Sequence, residues 1–150
     1  MNGKSEQKLI YPGLAGFYDA WTDITYTLVR VIIGYILFMH GWVKVGAGIG
    51  GISAYMAKQG LEPAIFFAGA AMFLETVGAI CVAIGLFTRL FAAALAIEMA
   101  IALLDVHLSR GFAASKGGFE YVLLIGVVLF AIAVRGGGPY SVDRAIGKEL

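Results

Sequence analysis

The sequence predicts an all-α membrane protein, a four-transmembrane-helix bundle with a short N-terminal interfacial segment. Of its 150 residues, 60% are hydrophobic and only 14% are charged, whereas an average soluble domain has about 25% charged residues. A bilayer core requires about 20 mainly apolar residues in a helix. Stretches that approach this length cover residues 24–44, 64–86, 89–108 and 119–135. They leave no room for a soluble domain, so we predict one membrane domain over residues 24–146 and a tail over 147–150.

The segment before the first span, residues 1–23, is polar and aromatic. It carries Tyr11, Phe17, Tyr18 and Trp21, and tyrosine and tryptophan gather at the headgroup level of membranes. We therefore expect a disordered start followed by a short interfacial helix.

The first span ends near residue 44, and the glycine-rich stretch that follows, residues 45–63, is the longest connection. It lacks the Gly-Lys-Ser/Thr ending of a phosphate loop, so we predict a flexible turn. The second span begins after Pro63 and closes near Gly85, because glycine commonly follows the last residue of a helix.

A short turn joins the second and third spans and predicts a tight antiparallel hairpin. Thr88 is placed to cap the third helix, and the long side chain of Arg89 can reach the interface. The fourth stretch is the shortest and ends at Arg135, before three glycines and Pro139. Its marginal length predicts tilted neighbours or a locally thinner bilayer.

Basic residues near the ends of the spans predict the orientation, because cytoplasmic loops carry an excess of lysine and arginine. The side with both termini and the turn between the second and third spans has six: Lys4, Lys8, Arg89, Arg135, Arg144 and Lys148. The opposite side has four: Lys44, Lys58, Arg110 and Lys116. This bias predicts that both termini are cytoplasmic.

Two glutamates are predicted near the middle of the bilayer. Glu75 and Glu98 are nearly equidistant in sequence from Phe87, so on antiparallel helices they fall at the same depth. Two facing carboxylates in a low dielectric do not both ionise easily, so one is expected to hold a proton and hydrogen-bond the other. Such a pair suits proton exchange with a quinone. The alternative is a structural role, in which each glutamate holds helices together or reaches Arg30 or Arg89.

A second polar layer is predicted nearer the face opposite the termini. Counting 1.5 Å per helical residue places His40 and Asp105 at one height, with Lys44, His107 and Glu120 a turn or less further out. A histidine near a carboxylate can pass protons at neutral pH, and a lysine can hold an anionic head group. These five residues are the candidate quinone or ligand site.

Aromatic residues of the same region could wall a flat ring or simply anchor the protein at the interface: Tyr35, Phe38, Trp42, Phe112 and Phe119. His40 and His107 are the only histidines, so a bis-histidine haem b is conceivable. No histidines stand at helical ligand spacing, so no other metal is predicted. Cys81 is the single cysteine, and the net charge of +1 predicts no nucleic-acid binding.

Several segments together resemble the DoxX family of small membrane proteins from bacteria and archaea. The resemblance spans residues 28–146. It is carried by Arg30, Gly34, His40, Gly41 and Lys44 in the first helix; by Glu75, Gly78, Gly85, Thr88 and Arg89 in the second helix and its turn; by Gly117, Gly118 and Glu120 before the fourth helix; and by Ser141 and Asp143 in the tail.

The resemblance implies a multi-pass protein of a bacterial or archaeal cytoplasmic (inner) membrane and a link to redox chemistry. DoxX-like proteins are associated with thiosulfate:quinone oxidoreductase and other quinone-related complexes, so we expect a membrane subunit that binds quinone or lipid among its helices. The sequence has no cofactor motif, so a protein partner carrying a redox centre is implied, and a homo-oligomer is conceivable. We do not expect catalysis by this chain alone. The alternatives are a non-catalytic membrane anchor or assembly subunit and a small transporter or proton path.

Overall fold

The computed structural model describes residues 9–149, and the regular elements in that range are helical. The α-helices within it are, in chain order, α1 (Ala15–Lys58), α2 (Ala64–Phe73), α3 (Ala79–Ile84), α4 (Thr88–Ile101), α5 (Glu120–Arg135) and α6 (Val142–Ile146). Turns of 3-10 helix cover Pro12–Leu14, Leu108–Arg110 and Ala114–Lys116. Two π-helical turns complete the helices: Leu74–Gly78 joins α2 to α3, and Ala102–His107 extends α4.

Three helical segments of the described chain are long and apolar enough to cross a membrane: Pro12–Lys58, Ala64–Ile84 and Thr88–Arg110. The prediction of an all-α membrane protein is therefore confirmed. The fourth predicted span is α5, which has 16 residues and packs along α4.

The first helix differs from the prediction at both ends. α1 takes in part of the predicted leader and continues to Lys58 through the stretch predicted as a flexible turn. It is interrupted at Gly48, where φ is 74° and ψ is 155°. Glycine adopts a positive φ readily, so the helix changes direction there and resumes over residues 49–58. The glycine-rich composition concealed this second helical segment, and the expected disordered start, residues 1–8, lies outside the described residues.

The core lies between α1, α3, α4 and α5. Its most deeply buried apolar side chains are Leu37, Val82, Leu95, Leu129 and Ile132. α1 packs against α2 and α3, and α4 packs against α5. The bundle thus consists of two antiparallel helix pairs, joined by the short turn that begins at Gly85 in the left-handed conformation, as predicted.

Two glycines of α1 allow a close approach to the second span. A Cβ atom on Gly34 would lie 2.6 Å from the carbonyl oxygen of Ala79, and one on Gly41 would lie 2.5 Å from that of Glu75. Both distances are far below van der Waals contact, so only glycine fits. Small residues bring transmembrane helices together in this way, and Gly41 thereby sets the position of Glu75 against α1.

The end of the bundle near the termini is closed by the C-terminal segment. The carboxylate of Asp143 accepts hydrogen bonds from the backbone N–H groups of Phe87 (2.7 Å) and Thr88 (2.9 Å) and from the Thr88 hydroxyl (2.7 Å). The prediction that Thr88 caps α4 was therefore wrong, since its hydroxyl donates and Asp143 is the cap. Burial raises the pKa of Asp143, but these hydrogen bonds and the charge of Arg30 outweigh it, so the pKa lies below its ordinary value.

Arg30 and Arg89 also bind backbone at this end. Arg30, which is 1% exposed, donates to the carbonyl oxygens of Gly137 (2.9 Å) and Tyr140 (2.7 Å). Arg89 donates to the carbonyl oxygen of Val134 (2.5 Å) in the last turn of α5. A positive charge at the C-terminal end of a helix interacts favourably with the helix dipole. Both arginines hold helix ends together, and neither reaches the mid-span glutamates.

Candidate functional site

A cavity of about 300 Å³ lies between α1, α2, α4 and the two π turns. Its walls are mainly aliphatic and aromatic, and Lys44, Glu75, Glu98 and His107 also border it. Ligand pockets commonly measure about 300–1,000 Å³ and combine apolar walls with a few polar groups. This cavity is therefore the candidate site.

Lys44 and Glu75 form an ion pair at the inner end of the cavity. The ammonium group of Lys44 donates a hydrogen bond to Oε2 of Glu75. Only 5% of the Glu75 side chain and 26% of the Lys44 side chain are exposed. The sequence predicts Lys44 in an outer layer, about a turn beyond His40. Because α1 extends beyond both of its predicted ends, counting from residue 24 misjudged the depth, and Lys44 lies level with Glu75.

Glu98 lies beside this pair, as its spacing from the turn predicted. Its carboxyl group interacts with that of Glu75 and with the Lys44 charge, and its Oε2 atom is buried without a hydrogen-bond partner. One lysine balances one carboxylate, and a second negative charge at this depth would be uncompensated. We therefore treat Glu75 as the charged carboxylate and Glu98 as the neutral carboxylic acid that holds a proton.

His107 borders the cavity nearer the face opposite the termini. Its Nδ1 atom lies 2.7 Å from the carbonyl oxygen of Gly117. A carbonyl oxygen can only accept, so Nδ1 carries a proton, and in the neutral ring Nε2 is free to accept one. His107 is thus held in one tautomer at the edge of the site.

The other residues of the predicted outer layer do not border the cavity. His40 is exposed, with its ring 6.1 Å from that of Tyr121. Asp105 is also exposed, and Glu120 accepts a hydrogen bond from the backbone N–H of Ala114 (2.6 Å) in the preceding loop. Of the five residues of the predicted outer site, Lys44 and His107 border the cavity, and His40, Asp105 and Glu120 do not.

The aromatic residues suggested as ring walls also lie elsewhere. Trp42 is 60% exposed and stacks on Phe38, with ring centroids 5.8 Å apart. The rings that do border the cavity are those of Tyr55, Phe66 and Phe67. The sequence did not indicate these residues. Tyr55 lies in the stretch predicted as a flexible turn, and Phe66 and Phe67 lie at the start of a predicted span in which nothing distinguished them from lipid-facing residues.

Both π turns border the cavity. Leu74–Gly78 carries Glu75, and Ala102–His107 carries His107. Such turns make up well under 1% of residues in globular proteins and occur frequently at functional sites. They shift the facing of side chains relative to a regular helix, so a regular helical count gives the depth of Glu75 but not the direction of the Glu75 and His107 side chains.

In the part of the chain that the structure describes, no three histidine, cysteine, aspartate or glutamate side chains are arranged to hold a metal ion. The polar side chains that border the cavity carry one ammonium group, two carboxyl groups, one imidazole and the phenol of Tyr55. Such a set can bind a polar head group by hydrogen bonds and can exchange protons with it.

These features define a helical, multi-pass membrane protein with an ionisable cluster in an apolar cavity near the middle of its spans. The chain belongs to the DoxX family, whose model matches residues 25–108. The matched range contains the whole cluster, Lys44, Glu75, Glu98 and His107. The family model does not extend to α5 and the C-terminal segment.

Two relatives match most of the chain. An uncharacterized protein of Haemophilus influenzae is 28% identical over 132 residues, covering 81% of this chain and 90% of that protein. A Bacillus subtilis protein named "Putative oxidoreductase CatD" is 31% identical over 110 residues, covering 73% of this chain and 79% of that protein. No solved structure matches the chain.

Proposed function

We propose that the protein is a membrane subunit of a quinone-linked redox system and that a quinone ring binds in the cavity. The observation that carries this proposal is the buried, unpartnered Oε2 atom of Glu98 beside the Lys44–Glu75 ion pair in an otherwise apolar cavity. A buried polar atom without a partner is rare in folded proteins, and a ligand oxygen would satisfy it. The name of the Bacillus subtilis relative supports a redox role.

Each ionisable residue has a distinct task in this proposal. Lys44 donates a hydrogen bond to one ring oxygen, while Glu75 keeps the ammonium group charged and oriented. Glu98 holds one of the two protons that two-electron reduction of a quinone consumes, and His107 can deliver a proton to the cavity from the outer face through its free Nε2 atom. Quinone supplies the electron chemistry when bound, and the apolar walls exclude bulk water.

A protein partner supplies the electrons in this proposal. The chain has one cysteine and no Cys-x-x-Cys pair, and its ionisable cluster can move protons but offers no motif for a resident redox centre. We place the protein in the cytoplasmic membrane of a bacterium or archaeon, with α5 as a fourth span and both termini in the cytoplasm.

Quinone content tests the proposal directly. We expect lipid extracts of the purified protein to contain quinone, and decylubiquinone or menaquinone to raise the melting temperature in nanodiscs. Glu98→Gln and Lys44→Met should lower the quinone content at least about tenfold, because each removes a hydrogen-bond partner at the ring. Asp105→Asn is the control, since Asp105 is exposed and lies outside the cavity.

The proposal is wrong if extracts lack quinone and neither quinone changes the melting temperature. Quinone that is retained equally by Glu98→Gln, Lys44→Met and Asp105→Asn would also contradict it. A stable complex with a partner whose activity is indifferent to Glu75→Gln and Glu98→Gln would instead support a non-catalytic anchor.

A further inference from the structure

The cavity has a buried polar end and, away from it, a side that is exposed at the surface of the bundle. The polar end is formed by Lys44 and Glu75, with Glu75 only 4% exposed. On the lipid-facing side the lining includes Phe66 of α2 and Ile97 of α4, which are 66% and 63% exposed. Residues that line a cavity and are also this exposed mark the place where the cavity reaches the outer surface of the bundle.

That surface belongs to the bilayer. Ile97 precedes Glu98 in the middle of the segment Thr88–Arg110, which is apolar and long enough to span a membrane. Phe66 lies nine residues from Glu75, or about 13 Å nearer the outer face at 1.5 Å per residue. The opening therefore runs along the hydrocarbon region, from the level of the ionisable cluster toward the outer face.

The side of the cavity toward the aqueous phase is less exposed than the side toward lipid. The helical segment beyond the break at Gly48 contributes Tyr55 and Met56 to the lining, and the connection after it contributes Leu61. Met56 and Leu61 are partly buried. Tyr55 is 43% exposed, so the most exposed residues of the lining are Phe66 and Ile97, on the side toward lipid.

We propose that the cavity is entered sideways from the bilayer, between Phe66 and Ile97, and that its ligand is a lipid with a ring head group and an apolar tail. The head group reaches the Lys44–Glu75 pair and Glu98, and the tail remains in the opening between α2 and α4. This inference rests on the proposed quinone site and assigns to Phe66 and Ile97 the selection of tail-bearing over tail-less ligands.

A narrowed opening separates the two kinds of ligand. The probes are a menaquinone with an isoprenoid tail and menadione, which has the same ring without the tail, together with decylubiquinone and the tail-less ubiquinone head group. Ile97→Trp fills the opening with a larger side chain and leaves the ionisable cluster intact. Leu90→Trp is the matched control, because Leu90 lies on the same helix seven residues away, is 54% exposed and does not border the cavity.

Binding is measured by the rise in melting temperature with ligand concentration in nanodiscs, and the melting temperature without ligand checks that each variant folds. We expect the wild type and Leu90→Trp to bind the tail-bearing quinone more tightly than its tail-less counterpart. Ile97→Trp should lose about tenfold in affinity for the tail-bearing quinone and keep its affinity for the tail-less ring.

The outcomes distinguish this inference from the proposed function. If the wild type binds neither tail-bearing nor tail-less rings, the quinone site and the lateral opening are both overturned. If the wild type binds both and Ile97→Trp weakens neither, or weakens both equally, the lateral opening alone is overturned.

Discussion

In the ionisable cluster, the charges of neighbouring residues balance each other. Lys44 and Glu75 neutralise each other at low exposure, and Glu98 lies against them with one oxygen unpartnered. The meeting of Glu75 and Glu98 could be predicted from their equal spacing about the turn. The addition of Lys44 could not, because its depth depends on where α1 begins and bends, and those points depend on contacts along its whole length.

A double-mutant cycle measures how strongly Lys44 and Glu75 depend on each other. Either Lys44→Met or Glu75→Gln leaves a partner without its counter-charge in a low-dielectric site, so each should lower stability. The double variant should lose less than the sum, with a coupling free energy of about 1–3 kcal/mol in thermal or denaturant unfolding.

The exposed pair of Asp23 and Arg135, with N and O atoms 3.7 Å apart, is the control for this cycle. Asp23→Asn and Arg135→Met should couple by less than about 1 kcal/mol, because solvent screens surface ion pairs. Additive losses at Lys44 and Glu75 would show that the two side chains do not form a buried pair.

At the scale of helices, backbone contacts decide the geometry of the site. The π turn Leu74–Gly78 is placed against α1 because Gly41 has no side chain to hold it away. The sequence located this span within a few residues, because a stretch of about twenty mainly apolar residues is the length that a bilayer core requires. It did not reveal the helix beyond Gly48, because glycine-rich composition is compatible with turns as well as with helices, and the residues of Leu74–Gly78 do not distinguish a π turn from a regular helix.

Gly41→Ala tests the contact between α1 and the π turn. The added methyl group would lie 2.5 Å from the Glu75 carbonyl oxygen, so the helices must separate, and we expect a loss of about 1–3 kcal/mol in unfolding experiments. Quinone retention should fall as well, because Lys44 and Glu75 move apart.

Gly46→Ala is the matched control on the same helix. A Cβ atom at Gly46 meets nothing within 4 Å, and alanine favours helix over glycine, so this variant should gain up to about 1 kcal/mol. Equal effects of the two substitutions would contradict the close approach at Gly41.

The cap on α4 makes a pH-dependent contribution to stability. Asp143→Asn should cost about 1–2 kcal/mol at neutral pH, because the charged acceptor of the Phe87 and Thr88 bonds is lost. The folded-state pKa of Asp143 is lowered relative to an unfolded value of about 3.9. The stabilisation is therefore fully present above about pH 4 and is lost as the pH falls through the folded-state pKa.

Melting temperatures of the wild type and Asp143→Asn, measured across an acid titration, check this prediction. The two curves should converge at low pH. Asp19→Asn, a change at an exposed aspartate, should shift neither the stability at neutral pH nor its dependence on acid. A constant difference between wild type and Asp143→Asn at every pH would contradict the role of the carboxylate charge.

For the molecule as a whole, composition and span length were enough to predict membrane residence and helical architecture. Orientation was predicted from six basic residues on the side of the termini against four opposite. The structure places one of those four, Lys44, in the cavity, so only three remain on the loop side: Lys58, Arg110 and Lys116. The basic residues on the two sides then number six and three, and the cytoplasmic placement of both termini stays a prediction.

Cysteine labelling tests orientation and span number together. In a Cys81→Ser background, we expect Gln59→Cys and Ser115→Cys to react with a membrane-impermeant maleimide added from outside, and Lys148→Cys to react only after the membrane is opened. Labelling of Ser115→Cys from the cytoplasm would show that the orientation is the opposite of the predicted one. If Ser115→Cys and Lys148→Cys react from the same side, α5 does not cross the bilayer.

The hydrogen bond between Thr88 and Asp143 also determines when the N-terminal end of α4 is capped during synthesis of the chain. The start of α4 is synthesised 55 residues before its cap, so the first three spans must enter the membrane while that helix end is still held by water or lipid head groups. Only after Asp143 has left the ribosome can the hairpin of α3 and α4 lock against the C-terminal segment.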